Sequence, residues 1–599
     1  MMPQAHDRIT DIVISEFRSQ NGTRESTFTI GTRVRPLLKS ILQGVVGFGL
    51  SMGGLLAVAT PALSADQIRV LFGPIQVSVS VDSLETFANE GRIESDLEVY
   101  TRRLSDDELV AVRRTLQSSV DIEQVALANF LYTDQGEAIL NRLGNIIRTR
   151  SNSGFYALRA SLILASGKEG GLTPISFLKA FPTESIVIDI DRGLEIVREL
   201  DQLINVTSNA LSLIETQFSK EVGNIAARDF AQIGVGAPER LGPYLWDTDT
   251  LSLEDVARDR MFDVDLYIPE TDVPAPLVVI SHGLGSDRTS YRYLALHLAS
   301  HGFAVASPEH PGSNADYVQA LFEGASDQIA EPGEFINRSE DISFMLNELT
   351  RWAEANPGLG DRMDTEQVAV IGQSFGGYTA LSLGGAAINF DRLAIDCTQD
   401  GLRRETLNLS LLLQCRAASL DLGDQVTSNL LSLQDDRVKA VVAINPIGST
   451  VFGREGFSQV DVPTLIMTSS ADLVAPTLFE QIFPFSWLNV SDKYLVLMRG
   501  ATHFSTIGPS SVSGADVALP ETIVGPSPQL AQTYTRAMSL AFLETHLRGN
   551  ASYQRYLSPT YVSSLSRQPL PLSIVDFLNS DQITQLVKDT SLIALTSEE

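Results

Sequence analysis

Val368-Ala369-Val370-Ile371-Gly372-Gln373-Ser374-Phe375-Gly376-Gly377-Tyr378 is the stretch on which the reading of this chain turns. Its apolar, β-branched opening predicts a strand that runs to Gly372, and the small and apolar residues from Tyr378 onward predict a helix. A serine at the sharp turn between them has the strand–turn–helix context of a nucleophile elbow, whose strained backbone lifts the hydroxyl clear of the strand edge. Gly372 and Gly376 leave room where a Cβ would collide. The spacing alone is weak: Gly49-Leu50-Ser51-Met52-Gly53 has it too. That copy lies in an apolar run with no β-branched strand before it, so we read it as chance.

Outward from the elbow, strands and helices alternate. Met261–Ile268, Leu277–Ser281, Ala304–Ser307, Val368–Ile371, Val438–Ile444, Thr464–Thr468 and Tyr494–Met498 read as strands. Most are continuously apolar, as in a parallel sheet covered by helices on both faces. The fold class is therefore α/β, and the elbow sits mid-series, where a central strand belongs.

A serine hydroxyl needs an adjacent base, and the base needs an orienting carboxylate. In the elbow fold the chain order is serine, acid, histidine. Only His503 and His546 follow Ser374. His503 comes directly after the last strand of the series, at the edge where the serine lies, and is the expected base. His546 falls in a helix from Leu530 to Leu547 and reads as an exposed helix-end cation. Asp472, in the loop after the strand ending at Thr468, is the expected acid. The competing position holds Asn445, whose neutral amide does not stabilise an imidazolium as a carboxylate does. Asp435 and Asp436 precede their strand and belong to the opposite edge.

A tetrahedral oxyanion requires two fixed backbone donors, worth about 3 kcal/mol each in comparable sites. The amides of Phe375 and Leu284 are the expected pair. Leu284 lies in His282-Gly283-Leu284-Gly285, directly after a strand, and His282 reads as a brace for that loop. His297, His301 and His310 precede the elbow and take no triad role.

Ser281-His282-Gly283-Leu284-Gly285, Leu298 to His310, and Gly372-Gln373-Ser374-Phe375-Gly376-Gly377 together resemble the platelet-activating-factor acetylhydrolase branch of the α/β-hydrolases. The resemblance covers about residues 255–510. It implies an α/β-hydrolase fold, a mostly parallel central sheet covered by helices. It also implies an esterase acting on short-chain or oxidised phospholipid acyl esters without calcium. In one respect the chain departs from that branch. Secreted vertebrate members carry the acid after the strand that here leads to Asn445, whereas Asp472 takes the position used by dienelactone-hydrolase-like relatives. Val79–Ala88 and Phe155–Ala160 resemble exported prokaryotic α/β-hydrolases with a helical N-terminal domain of unknown function. The triad then cleaves a carboxylic ester; a serine peptidase, or a non-catalytic binding protein on the same fold, are the alternatives.

Acidic residues outnumber basic ones, 73 to 44, for a formal charge of −29. This excludes a nucleic-acid partner and opposes anionic membrane surfaces. The substrate is a small-molecule or lipid ester. With two cysteines, no Cys-x-x-Cys and no His-Glu-x-x-His, no metal is expected, and the triad chemistry calls for no cofactor. Residues 1–65 read as an extension and an export signal. Basic Arg33, Arg35 and Lys39 precede the apolar Ile41–Ala59 and a small-residue exit at Ala62 to Ala65. Cleavage there and a retained anchor both remain open. Export would permit a Cys397–Cys415 disulfide. Residues 66–224 read as a mainly helical domain that opens with a hairpin. Ser105 to Glu108 forms a capping box, Thr173-Pro174 starts a helix, and a long helix begins near Asp191. Residues 225–250, rich in Gly and Pro, read as a linker before the 251–599 domain. A long insert at about 384–434, holding both cysteines, reads either as a cap over the acyl pocket or as a surface excursion.

Overall fold

The computed structural model describes residues 65–72, 75–102, 104–150, 152–222, 237–398, 408–420, 429–510 and 521–588. The expected export signal and most of the expected linker lie outside them. Residues up to Ile204, with Ala320–Gln328, form one compact unit, and Asn205–Gln319 with Ile329 onward form a second.

The first unit combines helices with a small sheet. Strands β1 (Gln67–Phe72), β2 (Ile75–Ser80), β3 (Ile147–Arg148) and β4 (Ser185–Asp189) make a four-stranded sheet of order β2-β1-β4-β3. The β1–β2 pair is antiparallel and β1–β4 is parallel. With only two residues, β3 is too short to leave a periodic trace in the sequence. Helices pack on this sheet around Leu127, Leu140, Phe181 and Ile186. The Ser105 capping box opens the helix Asp106–Gln117, and Thr173 caps Pro174–Lys179.

The second unit holds a nine-stranded sheet. Its strands are β5 (Trp246–Asp255), β6 (Arg260–Pro269), β7 (Ala275–Ser281), β8 (Ala304–Pro308), β9 (Met363–Gln373), β12 (Val438–Ile444), β13 (Thr464–Ser469), β14 (Lys493–Met498) and β15 (Leu572–Val575). Two short strands, β10 (Ile388–Asn389) and β11 (Leu430–Leu431), pair with each other instead. The sheet order is β15-β14-β13-β12-β9-β7-β8-β6-β5. All seven strands expected from sequence lie in it. Two more join at the edges, both antiparallel to their neighbours. The linker expected to reach residue 250 is corrected by β5, which starts at Trp246. Its Asp- and Thr-rich alternation is that of an edge strand with a solvated face, easily read as loop.

From β8 to β14 the strands run parallel, and their register decides where the site lies. Ser281 pairs with Gly372, Gln373 with Ile444, Ile444 with Met467, and Ser469 with Met498. The residues just past each strand therefore emerge along one rim. Alternate residues of the central strands, Val278, Ile280, Ala369, Ile371, Val442 and Ile444, share a core with the helices Arg292–Ser300 and Pro528–His546. Against the other face packs the helix Phe375–Leu383, every residue of which is buried. With both faces covered, the strands need no polar alternation.

Candidate active site

At the end of β9 the backbone turns through Ser374 at φ 54°, ψ −114°. A non-glycine residue here costs roughly 1–3 kcal/mol, which the packing around it must hold in place. A Cβ on Gly372 would meet the Gly376 carbonyl oxygen at 1.9 Å, and one on Gly376 would meet the Ser281 oxygen at 2.0 Å. The turn closes only with glycine at both places. Gly377 lies against Pro446. The Ser374 amide donates to the Ile444 carbonyl at 2.9 Å, pinning the elbow to β12.

His503 lies in the loop after β14. Its Nδ1 is 2.6 Å from Asp472 Oδ2, and both residues are buried. The other oxygen of Asp472 accepts the amides of Val474 (2.9 Å) and Ala475 (2.7 Å). The carboxylate is thus aimed by its own loop. In the neutral ring Nδ1–H is then the donor, and Nε2 keeps its lone pair.

The elbow and this loop are joined by side-chain amides. Gln373, the residue before the serine, donates Nε2 to the His503 carbonyl at 3.2 Å. Asn445 donates Nδ2 to Ser469 Oγ at 3.1 Å and to the Thr502 and His503 carbonyls at 3.4 Å. The Ser374 hydroxyl makes no hydrogen bond within the described residues. Asn445 therefore occupies the rival acid position as a backbone brace, in a left-handed conformation (φ 42°).

The loop after β7 is held with similar care. His282 is buried, and its Nε2 accepts the His310 amide at 3.1 Å, so its proton sits on Nδ1 and is donated to the Gly283 carbonyl at 2.8 Å. That carbonyl also accepts the Ser286 amide at 3.2 Å. The Gly283 oxygen and the Leu284 N–H belong to one peptide plane, so these two bonds orient that N–H. Among the described residues no protein acceptor faces the amide of Leu284 or of Phe375. Gly283 has no room for a Cβ, which would fall 2.2 Å from Gln373 Oε1, and Gly285 turns at φ 68°. Burial, reinforced by the nearby Arg338 guanidinium, pushes the His282 pKa down to about 3. Glu309 Oε1 stands 3.4 Å from Nε2, but the ring is neutral and this is no ion pair.

Behind the loop lies a buried network. His310 Nδ1 faces Asp341 at 3.3 Å and its Nε2 meets the Ser281 hydroxyl at 3.0 Å. Arg260 bridges Asp341 (2.7 Å) and Glu334 (2.8 Å). The sequence reading missed Gln373 and Arg338. A signal for Arg338 existed: it shares the helical stripe of Phe335, Ile342, Met345 and Leu349, a charge on an otherwise apolar face.

Two expectations are corrected or sharpened. His546 is no exposed cation: it is half-buried against Phe542 and Tyr494, and burial lowers its pKa. Its position in the helix Pro528–His546 brings an amphipathic face, not solvent, to the ring. Cys397 and Cys415 are bonded, with Cα atoms 5.3 Å apart. Within the insert, Leu411, Leu412 and Leu413 are buried, and Gln414 and Ser449 converge on the buried Glu480 carboxylate at 2.9 and 2.6 Å. A surface cavity of about 520 Å³, lined by Asp263, Arg288, Glu309, Asn314 and Tyr317 among others, flanks the 284–288 loop without including Ser374 or His503. No group of His, Cys, Asp and Glu side chains among the described residues could hold a metal ion.

A strained serine and a carboxylate-bound histidine lie past the ends of the parallel strands, and the chain resembles the α/β-hydrolase superfamily. Residues 64–189 match the family described as "Alpha/beta hydrolase of unknown function". Residues 267–348 match "Platelet-activating factor acetylhydrolase, isoform II". The platelet-activating factor acetylhydrolase of Canis lupus familiaris is 32% identical over 137 residues, covering 18% of this chain and 31% of that protein. The Bos taurus protein of that name is 28% identical over 137 residues with the same coverage, and the Gallus gallus one 26% over 144 residues, covering 18% and 34%. The chain thus spans about a third of the length of the curated relatives it matches.

Proposed function

We propose that this protein is an exported serine hydrolase that cleaves carboxylic esters of the lipid class through an acyl-enzyme. The observation that carries the reading is the 2.6 Å contact between His503 Nδ1 and Asp472, on a loop tied by Gln373 to the strained elbow of Ser374. Ser374 Oγ attacks the acyl carbonyl as His503 Nε2 takes its proton. Asp472 holds the tautomer and stabilises the imidazolium that forms. The oxyanion is received by the Phe375 and Leu284 amides, donors that no protein acceptor occupies among the described residues. His503 then protonates the departing alcohol. Water, deprotonated by the same ring, attacks the acyl-enzyme, and the acid leaves as Ser374 recovers its proton. Likeness to acetylhydrolases over residues 267–348 supports an ester substrate. Export draws support from the basic-apolar-small pattern before residue 66 and from the Cys397–Cys415 bond. No described helix is long and apolar enough to cross a membrane.

A fluorophosphonate probe and a panel of p-nitrophenyl esters, a phospholipid and a peptide test the reading. Labelling is expected at Ser374, with turnover of esters over peptide. Ser374→Ala should keep the fold and lower turnover by roughly 10⁵–10⁶-fold. Turnover retained in that variant refutes the assignment.

A further inference from the structure

We propose that Arg338 is a positioning residue of the oxyanion site, resting on the triad reading above. Its guanidinium fixes the Leu284 loop against the helix that starts at Phe375 and so sets the spacing of the two amides.

Arg338 lies in the second turn of the helix Glu334–Ala355 and is wholly buried. Its Nη2 donates to the His282 carbonyl and to Ser281 Oγ (3.5 Å), and its Nη1 to Ser313 Oγ (3.3 Å). Ser313 in turn accepts the Gly285 amide on its carbonyl at 2.9 Å. The loop is therefore gripped on both sides of Leu284, directly at residue 282 and through Ser313 at residue 285. The flat face of the same guanidinium covers Phe375, with Cζ 4.7 Å from the ring centroid. One side chain thereby touches both elements that carry the open amides.

Only a planar fork meets these demands. One carbonyl and two hydroxyl oxygens lie in fixed directions, and an aromatic face lies beneath them. A lysine ammonium offers a point charge that cannot satisfy the same set. The charge itself is balanced nearby. Ser313 Oγ donates to Glu334 at 2.7 Å, and Glu334 and Asp341 are bridged by Arg260, with Arg258 also 2.9 Å from Asp341. A buried cation with this much supporting structure is a costly way to fill core volume, since an apolar residue of like size often stabilises as well or better. Its contacts go to the loop, which is where the reaction would repay them.

The test uses Arg338→Met and Arg338→Lys in the full chain, with p-nitrophenyl butyrate as substrate and an alkyl trifluoromethyl ketone as tetrahedral mimic. Arg338→Met should lower kcat by about 10²-fold, with KM within twofold, and weaken the ketone by a similar factor, because both report tetrahedral oxygen binding. Arg338→Lys should recover part of both losses. If wild type hydrolyses the ester in a Ser374-dependent way and both variants keep kcat and ketone affinity within twofold, the proposal falls and the triad stands. A rise in KM alone, or loss of folding in both variants, assigns the guanidinium to packing and also overturns it. A wild type with no Ser374-dependent turnover refutes the triad reading instead.

Discussion

Two buried histidines emerge from the same rim of one sheet, and their partners set them apart. His503, after β14, faces a carboxylate that two backbone amides hold in place. His282, after β7, gives its proton to a carbonyl, uses its other nitrogen as an acceptor, and lies beside a buried guanidinium. A carboxylate partner stabilises an imidazolium that forms during reaction, whereas a guanidinium neighbour opposes one. The first arrangement can shuttle a proton, and the second fixes a neutral ring that can only brace. The motif His-Gly-Leu-Gly places a histidine close to the nucleophile, yet its surroundings, not its proximity, decide what it can do.

The sharpest way to break this comparison is to remove the carboxylate. Asp472→Asn should lower kcat on a p-nitrophenyl ester by about 10³–10⁴-fold, because an amide at that distance no longer selects the Nδ1–H tautomer. The fold should persist, since Asn keeps an oxygen for the Val474 and Ala475 amides. A loss below tenfold would mean that the acid lies elsewhere and that the His503–Asp472 contact is structural.

His282→Phe probes the other side. It frees the Gly283 carbonyl from Nδ1 and leaves the Leu284 peptide held by Ser286 alone, so one donor is loosened rather than deleted. The expected loss in kcat is roughly 10-fold to 10²-fold, smaller than that for deleting a donor outright. A loss equal to that of His503→Gln would make His282 a base and erase the distinction drawn here.

The sequence carried these two rings unequally. Seven strands and the elbow were legible because continuous apolar runs and the Gly-x-Ser-x-Gly turn are local signals, and chain order alone put Asp472 and His503 after successive strands. Edge strands β5 and β15 were not: β5 has a solvated face without the apolar signature of the centre, and β15, though buried, has only four residues. Gln373 and Asn445 reach the His503 carbonyl across separations of 130 and 58 residues. No spacing rule anticipates such contacts. Asn445 could be read from sequence only as a failed acid, and its bracing role needs the register of β12 against β9 and β13. His546 shows the opposite limit: its place in a helix was legible, its burial was not.

A third ring measures what holding a histidine neutral costs. His297, in the helix Arg292–Ser300, is fully buried, and desolvation, with His301 and Arg536 adding to it, lowers its pKa to about 3. An unfolded chain protonates the same ring near pH 6.5. Between those values the unfolded state binds a proton that the folded state does not, so stability falls as pH falls, by up to about 1.4 kcal/mol per pH unit. Above pH 6.5 the ring has no effect of this kind. Urea unfolding of wild type and His297→Leu at pH 7, 6, 5 and 4 isolates it. The stability of wild type relative to the variant should hold steady at the top of the range and decline below pH 6.5. Parallel curves down to pH 4 would show that the folded ring takes up its proton as readily as the unfolded one. Burial alone would then not suffice to keep a histidine neutral in this protein, and the contrast between His282 and His503 would rest on the hydrogen bonds of His282 and on Arg338.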